Sequence, residues 1–291
     1  MRTALTLLAA LLLLVCGAAS ADERFFDSNG VRIRYLERGS GAPVVLVHGF
    51  TGAIERSWIA TRVLPDLARD HRVIALDLRG HGGSGKPRDP VAYNELGEDI
   101  IRLLDHLAIP RAHVVGYSLG GIIVAKLLTT HPERFITATL GAASHRRSRS
   151  TRSDQAAEGA ARELEIGLPY RTLILATAPT DELPPSEEVL RRTSRDIVAL
   201  NDPLAHAALY RARRALIVTD AEMKAVRVPA LAIVGSADSA LARVKALNAA
   251  WPAMKLVVVD GAVHPASHAR GLPSSPEFVA AIRAFIKAHP Q

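Results

Sequence analysis

The chain has 291 residues, 48% of them hydrophobic and 22% charged, a balance that excludes a disordered or low-complexity protein and is enough for one sizeable packed core. Its formal net charge of +7 is carried mostly by arginine. No nucleic-acid motif accompanies that charge, so a solvated basic surface accounts for it and no nucleic-acid partner is expected.

The first residues read as a leader. Met1-Arg2 is a short positive start, residues 5–15 are almost unbroken apolar sequence, and Ala19-Ser20-Ala21 offers small residues at the spacing a signal peptidase reads. The apolar run is shorter than the ~20 residues that cross a bilayer. Cleavage after Ala21 and export to the periplasm or medium are therefore expected, with no stable membrane anchor. The alternative is a lipoprotein that begins at Cys16, although Val15 stands where such sites want a small residue. Cys16 is the single cysteine, so cleavage after Ala21 would remove disulfides, cysteine-ligated zinc and cysteine catalysis together.

Beyond the leader, residues 24–27 and 31–37 alternate apolar and polar around Ser28-Asn29-Gly30, which predicts a β-hairpin with an Asn-Gly turn. Short continuous apolar runs follow at residues 43–47, 73–76, 113–115, 135–140, 230–234 and 256–259, separated by longer amphipathic stretches. That alternation predicts a mostly parallel sheet of eight strands with helices on both faces, an α/β architecture. Leu96, Ile100, Leu103, Leu104 and Leu107 share one helical face, as do Phe278, Ile282, Phe285 and Ile286. Ser275-Pro276-Glu277 is a suitable start for the last helix.

The alternation breaks between Ala142 and about Arg227. Residues 156–164 read as a helix, and Ser186 and Asp202-Pro203 read as helix starts. The stretch from Ser144 to Arg152 is arginine-rich and polar, which reads as a solvated connection. The expected organisation is a leader at 1–21, a core formed by 22–141 and 228–291, and a helical insertion at 142–227.

Gly116-Tyr117-Ser118-Leu119-Gly120 joins a buried strand to an apolar helix. In that context Gly-x-Ser-x-Gly is a nucleophile elbow: the glycines permit a sharp turn that presents Ser118 Oγ above the strand end. A serine hydroxyl needs a base, and the base needs a carboxylate to hold its tautomer. Both should follow in the order Ser, Asp or Glu, His, each past a strand end. Asp238 and His264 satisfy this, with Asp260 a competing acid and His268 a competing base. His81, His113 and Asp77 are better explained by packing or loop structure, while His48 is a candidate second catalytic histidine. Paired histidines and carboxylates at metal spacing are absent, so neither metal nor organic cofactor is expected.

Together with Val44-Val45-Leu46-Val47-His48-Gly49-Phe50 and Asp77-Leu78-Arg79-Gly80-His81-Gly82-Gly83-Ser84, these motifs make the chain resemble the α/β-hydrolase superfamily, in its capped esterase, epoxide-hydrolase and C–C-hydrolase-like branch. The likeness runs along nearly the whole chain after the leader. It implies Ser118 as nucleophile, Asp238 as acid and His264 as base, with the backbone N–H groups of Phe50 and Leu119 facing the oxyanion. It also implies that His48 is structural. Resembling haloalkane dehalogenases and epoxide hydrolases carry aspartate at the elbow, so a serine there points away from those activities.

Phe50, Trp58, Tyr117 and Leu119 are candidates for the acyl side of the pocket, with helix packing the alternative for Trp58. The expected partner is a small-molecule ester with an apolar acyl group. Lactone opening, C–C hydrolysis and a non-catalytic binding role stay open as alternatives. If the leader is cut as expected, mass spectrometry of material exported by a bacterial host will find Asp22 at the N-terminus; an acylated Cys16 there would instead establish a lipoprotein.

Overall fold

A computed structural model describes residues 23–145 and 151–290. The expected leader with Cys16, and residues 146–150 of the arginine-rich connection, lie outside the described residues.

Strands β1 (Glu23–Ser28) and β2 (Val31–Arg38) form the hairpin, and Asn29 and Gly30 turn it with φ of 53° and 80°. Both central residues lie in the left-handed region, where Asn and Gly carry little penalty. Then follow β3 (Pro43–Val47), helix α1 (Val63–Leu67), β4 (Arg72–Leu76), α2 (Glu98–His106), β5 (Ala112–Tyr117), α3 (Leu119–Thr130) and β6 (Phe135–Gly141). Among the described residues, five helices intervene before the next strand: α4 (Thr151–Ile166), α5 (Arg171–Thr177), α6 (Glu187–Val198), α7 (Pro203–Ala212) and α8 (Asp220–Ala225). The chain closes with β7 (Ala230–Gly235), α9 (Leu241–Ala250), β8 (Lys255–Val259) and α10 (Pro276–Lys287).

The eight strands make one sheet in the order β1-β2-β4-β3-β5-β6-β7-β8. Every pairing from β4 onward is parallel, and the first two strands are antiparallel additions at one edge. The hairpin and all six apolar runs thus become strands. Alternate residues of the central strands enter different apolar layers: Val45, Val47, Ile74, Leu76, Val114 and Val234 pack with α2, α3 and α9, while Val44, Leu46, Val73, Ala75, Val115 and Ile233 pack with α1 and α10. A sheet covered on both faces has no polar face, which is why these strands read as continuous apolar runs.

Helix starts in the insertion follow their caps. Ser186 Oγ accepts from Val189 N, and Asp202 Oδ1 accepts from Leu204 N and Ala205 N. Two helices are additional to those expected. Helix α5 begins at Tyr170 with no side-chain cap, so nothing polar marks it. Helix α8 carries a capping box between Thr219 and Glu222, a legible signal. The insertion is continuous with the core: Ala208, Leu209, Leu216, Val218 and Met223 join the layer that holds α3. A second, small cluster unites Ala160, Ala161, Leu164, Tyr170, Ala207 and Tyr210 within it. No helix among the described residues is long and apolar enough to cross a membrane.

Trp58 does not line a pocket. It is fully buried in the layer of α1 and α10, among Ile54, Val63, Leu64 and Leu67, so packing describes its position. Its Nε1 finds no hydrogen-bond partner among the described residues, and its contribution is therefore apolar contact. Trp58→Ala should destabilise the protein by about 3–5 kcal/mol, read from urea unfolding, and a loss under about 1 kcal/mol would contradict the packing assignment.

Candidate active site

Ser118 stands between β5 and α3 at φ 51° and ψ −112°, outside the regions an L-residue favours. The turn is made by close backbone approach. A Cβ on Gly120 would lie 2.1 Å from Val47 O, and one on Gly116 would lie 2.4 Å from Gly120 O, so both positions require glycine. Ser118 N donates to Gly141 O at 2.8 Å, anchoring the turn to the neighbouring strand.

Ser118 Oγ is 2.9 Å from His264 Nε2, and His264 Nδ1 is 3.0 Å and 3.2 Å from the two oxygens of Asp238. Asp238 is buried, and one of its oxygens also accepts from Ala240 N at 2.6 Å. A carboxylate can only accept, so Nδ1 carries the proton and Nε2 is left to accept from the serine hydroxyl. The strand ends carry each group: β5 presents Ser118, the loop after β7 presents Asp238, and the loop after β8 presents His264.

The two rivals lie elsewhere. Asp260 accepts from Ser236 Oγ at 3.0 Å, on the exposed side of its loop. His268 faces Glu182, and its Nδ1 accepts from Arg270 N. Tyr117 is buried and donates its hydroxyl to the backbone carbonyl of His264, so it braces the histidine loop rather than lining a pocket. Burial, with the charge of Asp238, pushes the Tyr117 phenol well above its ordinary range and keeps it a donor.

The second loop at the site runs from His48 to Gly52. Gly52 N donates to Gly49 O, closing a turn in which Phe50 is the second residue and Thr51 has φ 62°. A Cβ on Gly49 would lie 3.1 Å from Ser118 Cβ, which measures how closely this loop passes the serine. Leu119 is the first residue of α3, where backbone N–H groups have no intrahelical acceptor. Both loops are backed by a buried polar network. Asp77 accepts from Ile54 N, Gly83 N and Arg34, and Arg79 makes a two-pronged pair with Asp99 that also accepts from Ser28 Oγ. His48 Nδ1 donates to Gly49 O at 2.8 Å and its Nε2 accepts from Leu78 N, so it holds the loop and does not face Ser118.

The insertion touches the loops that carry Asp238 and His264. Thr180 N donates to Ala237 O, Ser239 Oγ donates to Ala176 O, and Arg270 pairs with Asp181 and Glu182 while donating to Gly261 O. Sequence reasoning does not reach these ties, nor Tyr170, His206 and Tyr210, which surround Phe50. One signal for the last two is present: His206 and Tyr210 are four apart in a helix announced by Asp202-Pro203, and so share a face.

Residues 42–268 match the family description of the alpha/beta hydrolase fold. The chain belongs to this family. Among known proteins it is similar to the dihydrolipoyllysine-residue acetyltransferase component of the acetoin cleaving system of Pseudomonas putida, 41% identical over 116 residues that make up 39% of this chain and 30% of that protein. It is also similar to 2-hydroxymuconate semialdehyde hydrolase of a Pseudomonas species, 38% identical over 107 residues, or 36% of this chain and 38% of that one. The matched segment thus spans about a third of those relatives' own length. Of solved structures, the enol-lactonase of Burkholderia xenovorans superposes with a TM-score of 0.72 at 24% identity, covering 91% of this chain and 100% of that one. An esterase of Thermogutta terrifontis gives 0.71 at 22% identity, covering 93% and 100%. These superpositions show the shared fold.

Three buried histidines beside the site are held neutral. Burial pushes His206 down to about 3, aided by His48 and Arg56 against the opposing pull of Asp202 and the Gly80 carbonyl. Burial also puts His81 well below its ordinary value, with His206 and His48 adding repulsion, and lowers His48 despite Asp77. As pH falls below the ordinary value of 6.5, the unfolded chain takes up protons that the folded chain refuses, so stability declines from there toward about 3. The melting temperature should therefore fall steadily between about pH 6.5 and about pH 4, and His206→Phe should flatten the decline. Superimposable pH profiles for the two proteins would contradict this account.

Proposed function

We propose that the protein is a serine hydrolase that cleaves a carboxylic ester of a small or medium apolar acyl compound through an acyl-enzyme, acting outside the cytoplasm. The observation that carries the proposal is the hydrogen-bonded line from Ser118 Oγ through both ring nitrogens of His264 to buried Asp238. A binding role alone gives no reason to aim a base at a serine on a strained turn.

In the reaction, Ser118 Oγ bonds to the ester carbonyl carbon as its proton passes to His264 Nε2. The carbonyl oxygen becomes an oxyanion, faced by the N–H groups of Phe50 and Leu119. Donors so placed act on charge that develops only in the transition state, and each is worth about 2.7–4 kcal/mol. The C–O bond to the leaving alcohol then breaks, and the alcohol takes the proton from Nε2. Water repeats the cycle: it gives a proton to Nε2 while its oxygen attacks the acyl carbon, and Ser118 recovers its proton as the acid departs. Asp238 stays ionised and stabilises the imidazolium. Lactone opening would use the same atoms, the leaving alcohol remaining attached to the acyl group.

A fluorophosphonate should label Ser118 stoichiometrically, and a ladder of p-nitrophenyl esters with lactones alongside should give the acyl preference. Asp238→Asn should keep the fold and lower kcat by about 10²–10⁴-fold through loss of tautomer control, with Asp260→Asn costing far less. Reversed losses would reassign the acid. Folded protein that neither takes the label nor turns over any ester or lactone would leave the binding role standing.

A further inference from the structure

The Phe50 side chain joins two cores. Its half-buried ring packs on the main apolar layer and also on the small cluster inside the insertion. The nearest ring is that of His206 on α7, with centroids 4.5 Å apart; Tyr210 follows at 5.0 Å, His81 at 5.8 Å and Tyr170 at 6.4 Å. His206 is itself fixed. Its Nδ1 lies 2.8 Å from the Tyr170 hydroxyl, and its ring lies 4.3 Å from that of His81, which in turn lies 5.1 Å from that of His48.

This column ends on a single peptide unit. The carbonyl of Gly49, which accepts from His48 Nδ1 at 2.8 Å, belongs to the same planar group as the N–H of Phe50. In a trans peptide the two point in opposite directions, so fixing the carbonyl aims the N–H. The turn needs such bracing. Thr51 is β-branched yet sits at φ 62°, a conformation that persists only when its surroundings enforce it. Arg56 supplies one brace by donating to Thr51 O at 2.7 Å, and it reaches toward Asn201 of the insertion as well. The aromatic contacts from α7 supply the other.

We infer that His206 is a positioning residue of the hydrolase: the insertion, through this ring, clamps Phe50 and the histidines behind it so that the Phe50 N–H faces the developing oxyanion. The inference rests on the reading of Phe50 as an oxyanion donor. It makes the insertion part of the catalytic apparatus in addition to any role in substrate choice. What matters is a flat ring of the right size against Phe50, which alanine removes and phenylalanine retains.

The test compares wild type, His206→Ala, His206→Phe and Glu158→Gln, a surface change elsewhere in the insertion, on one p-nitrophenyl ester. Loss of one oxyanion donor costs about 10²–10³-fold in kcat, and a misaimed donor should cost His206→Ala about 10–100-fold. KM should stay within about twofold, since the donor acts on the transition state. Binding of a trifluoromethyl ketone, whose serine adduct carries the oxyanion, should weaken by the same factor as kcat. His206→Phe should recover most of the loss, and Glu158→Gln should match wild type. If alanine prevents folding, Tyr170→Phe, which removes only the hydroxyl on His206 Nδ1, carries the test and should lower kcat at constant KM. Unchanged kcat in folded His206→Ala overturns the inference alone, as do parallel changes in kcat and KM with ketone binding intact. A wild type inert to both esters and fluorophosphonate overturns the inference together with the reading it rests on.

Discussion

Holding Ser118 at φ 51° and ψ −112° costs on the order of 1–3 kcal/mol, and the conformation persists only because its surroundings enforce it. The turn exists because the sheet around it leaves the chain no other route. Strand β5 is buried along its whole length between β3 and β6, and α3 must start at once to cover the sheet face. The backbone of Gly120 therefore passes against Val47 O and that of Gly116 against Gly120 O, at distances that no larger residue permits. The same crowding brings the His48 to Gly52 loop up to Ser118. A serine just past the strand end and the His48 to Gly52 backbone beside it are thus two consequences of one packing constraint.

The placement of Asp238 and His264 follows from the parallel order of the sheet. In parallel strands all carboxyl ends lie on one edge, so loops after β5, β7 and β8 open on the same side. Neighbouring strands β7 and β8 carry Asp238 and His264 at adjacent positions of that edge. Asp260, although nearer to His264 in sequence, leaves β8 on the side where it meets Ser236. Sequence proximity loses here to strand direction. The loop after β4, held by buried Asp77 and by the Arg79–Asp99 pair, forms the floor beneath the His48 to Gly52 loop. Removing one partner of such a buried pair would leave an uncompensated charge, so both members must be kept together beneath the loop.

How much of this is legible in the sequence depends on the range of the interaction. The strands are readable because burial on both faces imposes an unbroken apolar run, and Ser118 is readable because the elbow writes its steric demands as glycines. Ser186, Asp202 and Ser275 mark helix starts because capping is local. Trp58 is ambiguous because an indole suits a pocket or a core equally, and only the three-dimensional neighbours Ile54, Val63 and Leu67 decide between them. Tyr117 lies beside the serine as its position in the motif requires, yet it lines no pocket. Strand alternation turns its ring into the layer of α10, where its hydroxyl meets the His264 carbonyl. The contacts of His206, Tyr170 and Tyr210 with Phe50 span more than a hundred residues, and the local pattern places only His206 and Tyr210 on one helical face without saying what that face meets.

The insertion is attached to the site in two ways that differ in physical strength. On one side, Arg270 with Asp181 and Glu182 forms charge-assisted contacts among side chains that are each more than a third exposed. Solvent and salt screen such pairs, and their net contribution is small. On the other side, His206, Tyr170 and Tyr210 meet Phe50 in a desolvated cluster, where aromatic contacts add to apolar burial and separation would expose both surfaces to water. Any movement that admits substrate therefore costs least at the strap of residues 176–182 and most at α7. Such a division suits the chemistry proposed: the end of the insertion that borders Asp238 and His264 can yield, while the end that aims the oxyanion loop keeps its geometry through the catalytic cycle.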